Sequence, residues 1–134
     1  KTFAWLYSQR SNKDLEQLYN KNLVKNKYWD GFKIETDYGR IMEDVDEHHA
    51  LNYIVQSTTI DMVHEQAYKV YELLKGMKSR ISFLIHDAVY IDLAEEDRYE
   101  ILNLLDTFKQ TRYGRFKVNV SAGKNLGTMK DLKL

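Results

Sequence analysis

Hydrophobic and polar positions alternate most clearly in Ile81-Ser82-Phe83-Leu84-Ile85-His86-Asp87-Ala88-Val89-Tyr90-Ile91-Asp92. Ile81, Phe83 and Ile85 fall on one face before the His-Asp pair, and Val89, Ile91 and Leu93 do so after it. A period of two on both sides of a polar pair predicts a β-hairpin that reverses at His86-Asp87. A carboxylate held on a rigid hairpin tip can coordinate a metal, whereas Asp in a plain turn needs no chemistry to be there. From Asp46 to about Lys75 the period changes to that of a helix: Leu51, Ile54, Val55, Met62, Val70 and Leu74 recur at helical spacing, and Gly76 closes it.

Weaker patterns surround these two. Residues 1–8 read as the tail of an apolar helix, and Ser11-Asn12-Lys13-Asp14 offers a cap for a short helix through Leu15, Leu18 and Tyr19. Asp30-Gly31 signals a turn, Phe32 to Thr36 a strand, and Gly39 a second turn from which Arg40-Ile41-Met42 returns. A second helix starts near Glu95-Glu96-Asp97, acids that suit a helix N-terminus, with Ile101, Leu105 and Phe108 as its buried stripe. Phe116 to Val120 reads as a final strand and Gly123 to Gly127 as a terminal loop. Helices mixed with hairpins predict an α+β fold with an antiparallel sheet.

Composition narrows the chemistry. The 134 residues hold no cysteine, which excludes disulfides and thiolate metal sites. Twenty basic and twenty acidic side chains leave no net charge, so nucleic-acid contact must rest on local patches. No run approaches the roughly 18 apolar residues of a membrane span. The opening Lys1-Thr2-Phe3-Ala4-Trp5 starts in mid-pattern, which suggests a piece of a longer polypeptide. Gly123 and Gly127 flank Lys124 without the strand-loop-helix context of a phosphate loop. Of the neighbouring His48 and His49, His48 lies sixteen residues from His64, roughly 24 Å along a helix, too far to share an ion without another element. Asn52 and Gln56, four residues apart, share a helix face. Their amides suit reading nucleobase edges or sugars, and a merely hydrated face is the plainer alternative.

In order along the chain, Phe3-Ala4-Trp5-Leu6-Tyr7-Ser8, Tyr38-Gly39-Arg40, Asn52-Tyr53-Ile54-Val55-Gln56-Ser57-Thr58-Thr59-Ile60-Asp61 and His86-Asp87 resemble family A DNA polymerases. The resemblance spans the chain, from the end of the fingers helix to the C-terminus. It implies an antiparallel palm sheet with a long helix and a metal-site hairpin, residues 1–45 being partial fingers and the return to the palm, and 46–134 the C-terminal palm portion. It further implies template-directed transfer of nucleotides from dNTPs to a primer 3′-hydroxyl. Asp87 would help hold two Mg²⁺ ions, and His86 would lie against the primer end. Gln56 and Asn52 would contact the minor groove, and Arg40 the DNA backbone or template. Phe3 would face the incoming sugar and Tyr7 the base or template. The implied partners are primer-template DNA, dNTPs and the remainder of the polymerase chain, with a cytoplasmic location in a bacterial or phage-infected cell and no membrane.

The pattern also departs from the family. Ala4 and Ser8 stand at glycine positions, Ala88 where Glu is frequent, and Leu126 where Trp is common. Lys1 is only two residues before Phe3, whereas the family's phosphate-binding Lys is four residues before that aromatic. The family's other catalytic Asp precedes the fingers helix, so it is expected upstream of Lys1, and this piece alone is expected to be inactive. The alternatives from other classes are a non-catalytic nucleic-acid-binding or interaction domain derived from a palm, and a metal-dependent phosphohydrolase using His86-Asp87.

Overall fold

The computed structural model describes residues 20–133. The expected helices within residues 1–19, and with them Phe3 and Tyr7, lie outside the described residues. The fold is α+β, and the strands form four separate antiparallel pairs among the described residues rather than one sheet. The chain divides into two compact units with the boundary between Met62 and Val63.

Among the described residues, the first unit begins with α1, Lys21–Tyr28. Its cap is Asn20, whose side-chain oxygen accepts from the Leu23 N–H at 2.9 Å, and Lys25 and Lys27 sit in its last turn where the helix dipole favours cations. Hydrophobic alternation does not predict this helix, because five of its eight residues are Lys or Asn and only Val24 and Tyr28 turn toward the core. The Asp30-Gly31 turn forms as expected: Asp30 accepts from the Phe32 and Lys33 N–H groups at 3.0 and 2.8 Å, and Gly31 takes φ +105°. These two bonds hold the Asp30 carboxyl below its ordinary range. The strand expected over 32–36 shrinks to β1, Ile34–Glu35, paired with β2, Ile41–Met42, across Gly39 at φ +76°. Ile34, Val45, Ala50 and Ile54 form the core, covered by Val24, Tyr28, Trp29 and Met42. The Trp29 indole N–H donates to the Val45 carbonyl at 2.8 Å, which satisfies the one polar group of that ring.

The long helix α2 runs Glu47–Leu74, within one residue of the expected limits at both ends. Asp46 caps it by accepting from the His49 N–H at 3.0 Å. Gly76, at φ +85°, ends it in the left-handed conformation that glycine adopts without penalty, and the Met77 N–H returns to the Leu74 carbonyl.

In the second unit, Val70 and Leu74 of α2 pack on Leu104, with Leu73, Met77, Ile81, Ile91 and Phe108 around them. Leu104 belongs to α3, Ile101–Lys109, which follows a 3₁₀ turn at Glu95–Glu100. The helix expected from Glu95 therefore starts six residues later, and Leu104 is its deepest residue. Gln66 is 1% exposed and its amide donates to the Thr107 and Gln110 carbonyls at 2.7 and 2.6 Å, binding the C-terminal end of α3 to α2.

The predicted hairpin is β3, Arg80–Ile85, paired with β4, Ala88–Asp92. Its register corrects the face assignment. Ile81 pairs with Ile91 but Phe83 with Tyr90, so Ser82 is an extra residue in a bulge. That slip moves Phe83 and Ile85 off the face of Ile81. Ile81 joins the core, whereas Phe83 stacks on Tyr90 with ring centroids 4.5 Å apart. Two short pairs complete the unit: β5, Gln110–Thr111, with β6, Gly114–Arg115, and β7, Val120–Ala122, with β8, Lys130–Leu132. Of the strand expected over 116–120 only Val120 is paired, as the start of β7; residues 116–119 belong to no strand among the described residues, although the Phe116 N–H donates to the Lys109 carbonyl at 3.0 Å, and the loop over 123–127 connects β7 to β8. No helix among the described residues is long and apolar enough to cross a membrane.

Candidate functional site

Ile85 pairs with Ala88, so His86 and Asp87 alone form the reversal of the hairpin. A loop this short demands a left-handed residue, and His86 supplies it at φ +52°. That conformation is uncommon for any side chain other than glycine, and such outliers concentrate at functional positions. Both side chains are exposed, and neither has a hydrogen bond or ion pair among the described residues. The Asp87 carboxylate is thus presented on two paired strands with its oxygens uncommitted.

At the other end of the hairpin the polar groups are buried and paired. The Asp97 carboxylate, 7% exposed, accepts from both the N–H and the hydroxyl of Ser79 at 2.7 Å. The hydroxyl donor, with the N–H next, holds the Asp97 carboxyl below its ordinary range. No motif pointed to Ser79 or Asp97; within Glu95-Glu96-Asp97 the sequence does not distinguish the buried acid from the exposed ones.

In the first unit, α2 presents Asn52, half-buried, and Gln56, exposed, one turn apart. Neither amide has a protein hydrogen-bond partner among the described residues. Thr59 does not extend this face as a donor, because its hydroxyl bonds the Val55 carbonyl at 2.8 Å. Arg40, at the entry to β2, reaches Asp61 of α2: its Nε donates to Oδ2 at 2.9 Å and one terminal nitrogen to Oδ1 at 2.5 Å. The hydrogen bond to Asp61, then its charge, raises the Arg40 pKa above its ordinary value. Both residues stand in the motifs of the sequence, but their pairing is a property of the fold. His49 is occupied at the helix start, with Nδ1 2.8 Å from Asp46, and this pairing lowers the Asp46 pKa. The structure therefore brings Arg40 to Asp61 and sets Asn52 beside Gln56, while His86 and Asp87 belong to the second unit.

Mg²⁺ takes oxygen ligands and keeps several waters, being held by one or two carboxylates together with substrate phosphates. Asp87 fits one such ligand position by type and exposure. No group of three or more His, Asp or Glu close enough to hold a metal occurs among the described residues, so further ligands would have to come from elsewhere. No family model, curated protein or solved structure matches the chain.

Proposed function

We propose that the chain is the C-terminal, palm-bearing part of a family A DNA-directed DNA polymerase, acting with the preceding chain on primer-template DNA and dNTPs. The observation that carries this reading is the uncommitted Asp87 carboxylate at the tip of a two-residue hairpin turn, next to a His in a left-handed conformation. The motif order supports it, since a polar helix face and an Arg-bearing turn precede that hairpin.

Each side chain has a definite task in this reading. Asp87 contributes one carboxylate ligand, and the second comes from the chain before Lys1. Two Mg²⁺ ions, when bound, supply Lewis-acid activation of the primer 3′-hydroxyl and charge stabilisation at the α-phosphate and leaving group. His86 lies against the primer end. Asn52 and Gln56 donate to the minor-groove acceptors present on every base pair, which gives contact without sequence preference. Arg40 has five N–H donors, of which Asp61 takes two, and the rest are free to meet a phosphate of the DNA backbone. Phe3 and Tyr7 remain assigned to the incoming sugar and to the base or template.

Asp87→Ala in the polymerase that carries this chain tests the proposal. It should abolish dNTP incorporation and leave primer-template binding intact, because the metals rather than this side chain's contacts carry the chemistry. Near-normal extension by that variant would overturn the assignment.

A further inference from the structure

We propose that Ser79 and Asp97 are positioning residues for Asp87, a buried clamp that sets the direction in which the β3–β4 hairpin projects; the proposal rests on the polymerase reading above.

Four hydrogen bonds close a ring around the base of the hairpin. The Ser79 N–H and hydroxyl both donate to Asp97 Oδ2 at 2.7 Å. The Ala94 N–H donates to the Ser79 hydroxyl oxygen at 2.9 Å, and the Asp97 N–H donates to the Ala94 carbonyl at 3.0 Å. Ser79 immediately precedes β3, and Ala94 lies two residues beyond β4. One leg is thereby tied directly to the carboxylate through Ser79, and the other reaches it through the Ser79 hydroxyl. Ser79 is fully buried, and a carboxylate as sheltered as Asp97 is tolerated only when hydrogen bonds replace its water. Salt bridging is not what holds it: Lys78, its cationic neighbour, pairs with Glu96.

The distal half of the hairpin has no comparable support among the described residues. Ile81 and Ile91 are packed into the core, but Phe83, Leu84 and Ile85 are 39%, 38% and 47% exposed. The direction of the tip is therefore inherited from the base. Seven residues separate Arg80 from Asp87, a reach of roughly 20 Å at the strand rise, so a tilt of only about 3° at the base displaces the tip by about 1 Å. Misplacement on that scale can cost about 10²-fold in rate without touching the reacting atoms.

The experiment compares Ser79→Ala and Asp97→Asn with the unsubstituted polymerase and with Asp87→Ala, below the unfolding midpoint of every variant. Primer extension gives kcat, the Mg²⁺ concentration for half-maximal rate and the primer-template Kd, and amide hydrogen exchange reports on residues 80–92. We expect kcat to fall about 10- to 100-fold. The Mg²⁺ requirement should rise, Kd should be unchanged, and exchange should quicken at Ile85 and Ala88. A merely structural role would lower the active fraction and leave the Mg²⁺ midpoint and the exchange of the folded molecules where they were. Ser79→Ala keeps the acidic side chain and the Ser79 N–H, so it decides the matter if Asp97→Asn does not fold. Unaltered kcat and Mg²⁺ midpoint in a folded clamp variant, with Asp87→Ala inactive, overturn the clamp and leave the polymerase reading standing. Full activity of Asp87→Ala, or no extension by the unsubstituted polymerase with its preceding chain present, overturns the polymerase reading and with it the catalytic role given to the clamp. Exchange at Ile85 and Ala88 then decides the mechanical part alone: faster exchange supports it, unchanged exchange overturns it.

Discussion

At the scale of single residues, Gln56 gives the sharpest test, because its amide is exposed and has no protein partner among the described residues. As a minor-groove contact it should matter for seating the primer terminus rather than for holding metal. Gln56→Ala should reduce extension by the equivalent of about 1–3 kcal/mol and change the response to a terminal mismatch. Extension assays on matched and mismatched primers check this. Identical kinetics on both, before and after substitution, would show that Gln56 faces only water. Four-residue spacing was enough to place Asn52 and Gln56 on one face, since helix periodicity is local information. The pairing of Arg40 with Asp61 was not legible, because it joins residues 21 apart and depends on how β2 meets α2. Buried Asp97 was equally hidden, its neighbours in sequence being exposed acids of the same type.

At the scale of elements, the Asp97 clamp makes a prediction about pH. Its carboxyl is held below the ordinary range by the Ser79 hydroxyl and N–H, so folding favours the ionised form. A depressed folded-state value means stability that is present above the unfolded carboxylate pKa, about 3.9 for Asp. That contribution is lost as pH falls through the folded value. Asp97→Asn should therefore be less stable than the unsubstituted protein at neutral pH, and the gap should narrow as the solution is acidified below about pH 4. Urea unfolding of both proteins at several pH values measures it, and a gap that stays constant down to strong acid would refute the linkage. Core packing makes a second prediction. Leu74 is buried against Val70 and Leu104, and Leu74→Ala should cost about 2–5 kcal/mol of stability, read from the shift in the same transitions. Elements with strong periodicity were legible: α2 within a residue at each end, and the hairpin with its turn at His86-Asp87. What failed was whatever a partner decides. The bulge at Ser82 inverts the faces beyond it, and no alternation rule announces an inserted residue. Residues 116–119 carry a strand-like pattern yet form no strand among the described residues, because the single bond from the Phe116 N–H to the Lys109 carbonyl does not make a ladder.

For the molecule as a whole, charge and ligand count together predict how the 134-residue chain behaves by itself. Twenty basic and twenty acidic side chains cancel, so binding DNA releases few counterions and gains little from them. Asp87 is one carboxylate, and Mg²⁺, which sheds its waters reluctantly, is held poorly by a single one without substrate phosphates. In the proposed polymerase the partner carboxylate precedes Lys1. The chain alone should consequently show no nucleotide transfer and only weak DNA binding that fades with added salt. Primer extension with the purified chain, Mg²⁺ and all four dNTPs checks the first point, and binding titrations at increasing ionic strength check the second. Template-dependent extension that survives rigorous removal of host polymerases would mean that every ligand the reaction needs lies between Lys1 and Leu134. The catalytic carboxylates would then have to be sought among the acids of this chain, and the motif order that puts one of them upstream would be wrong.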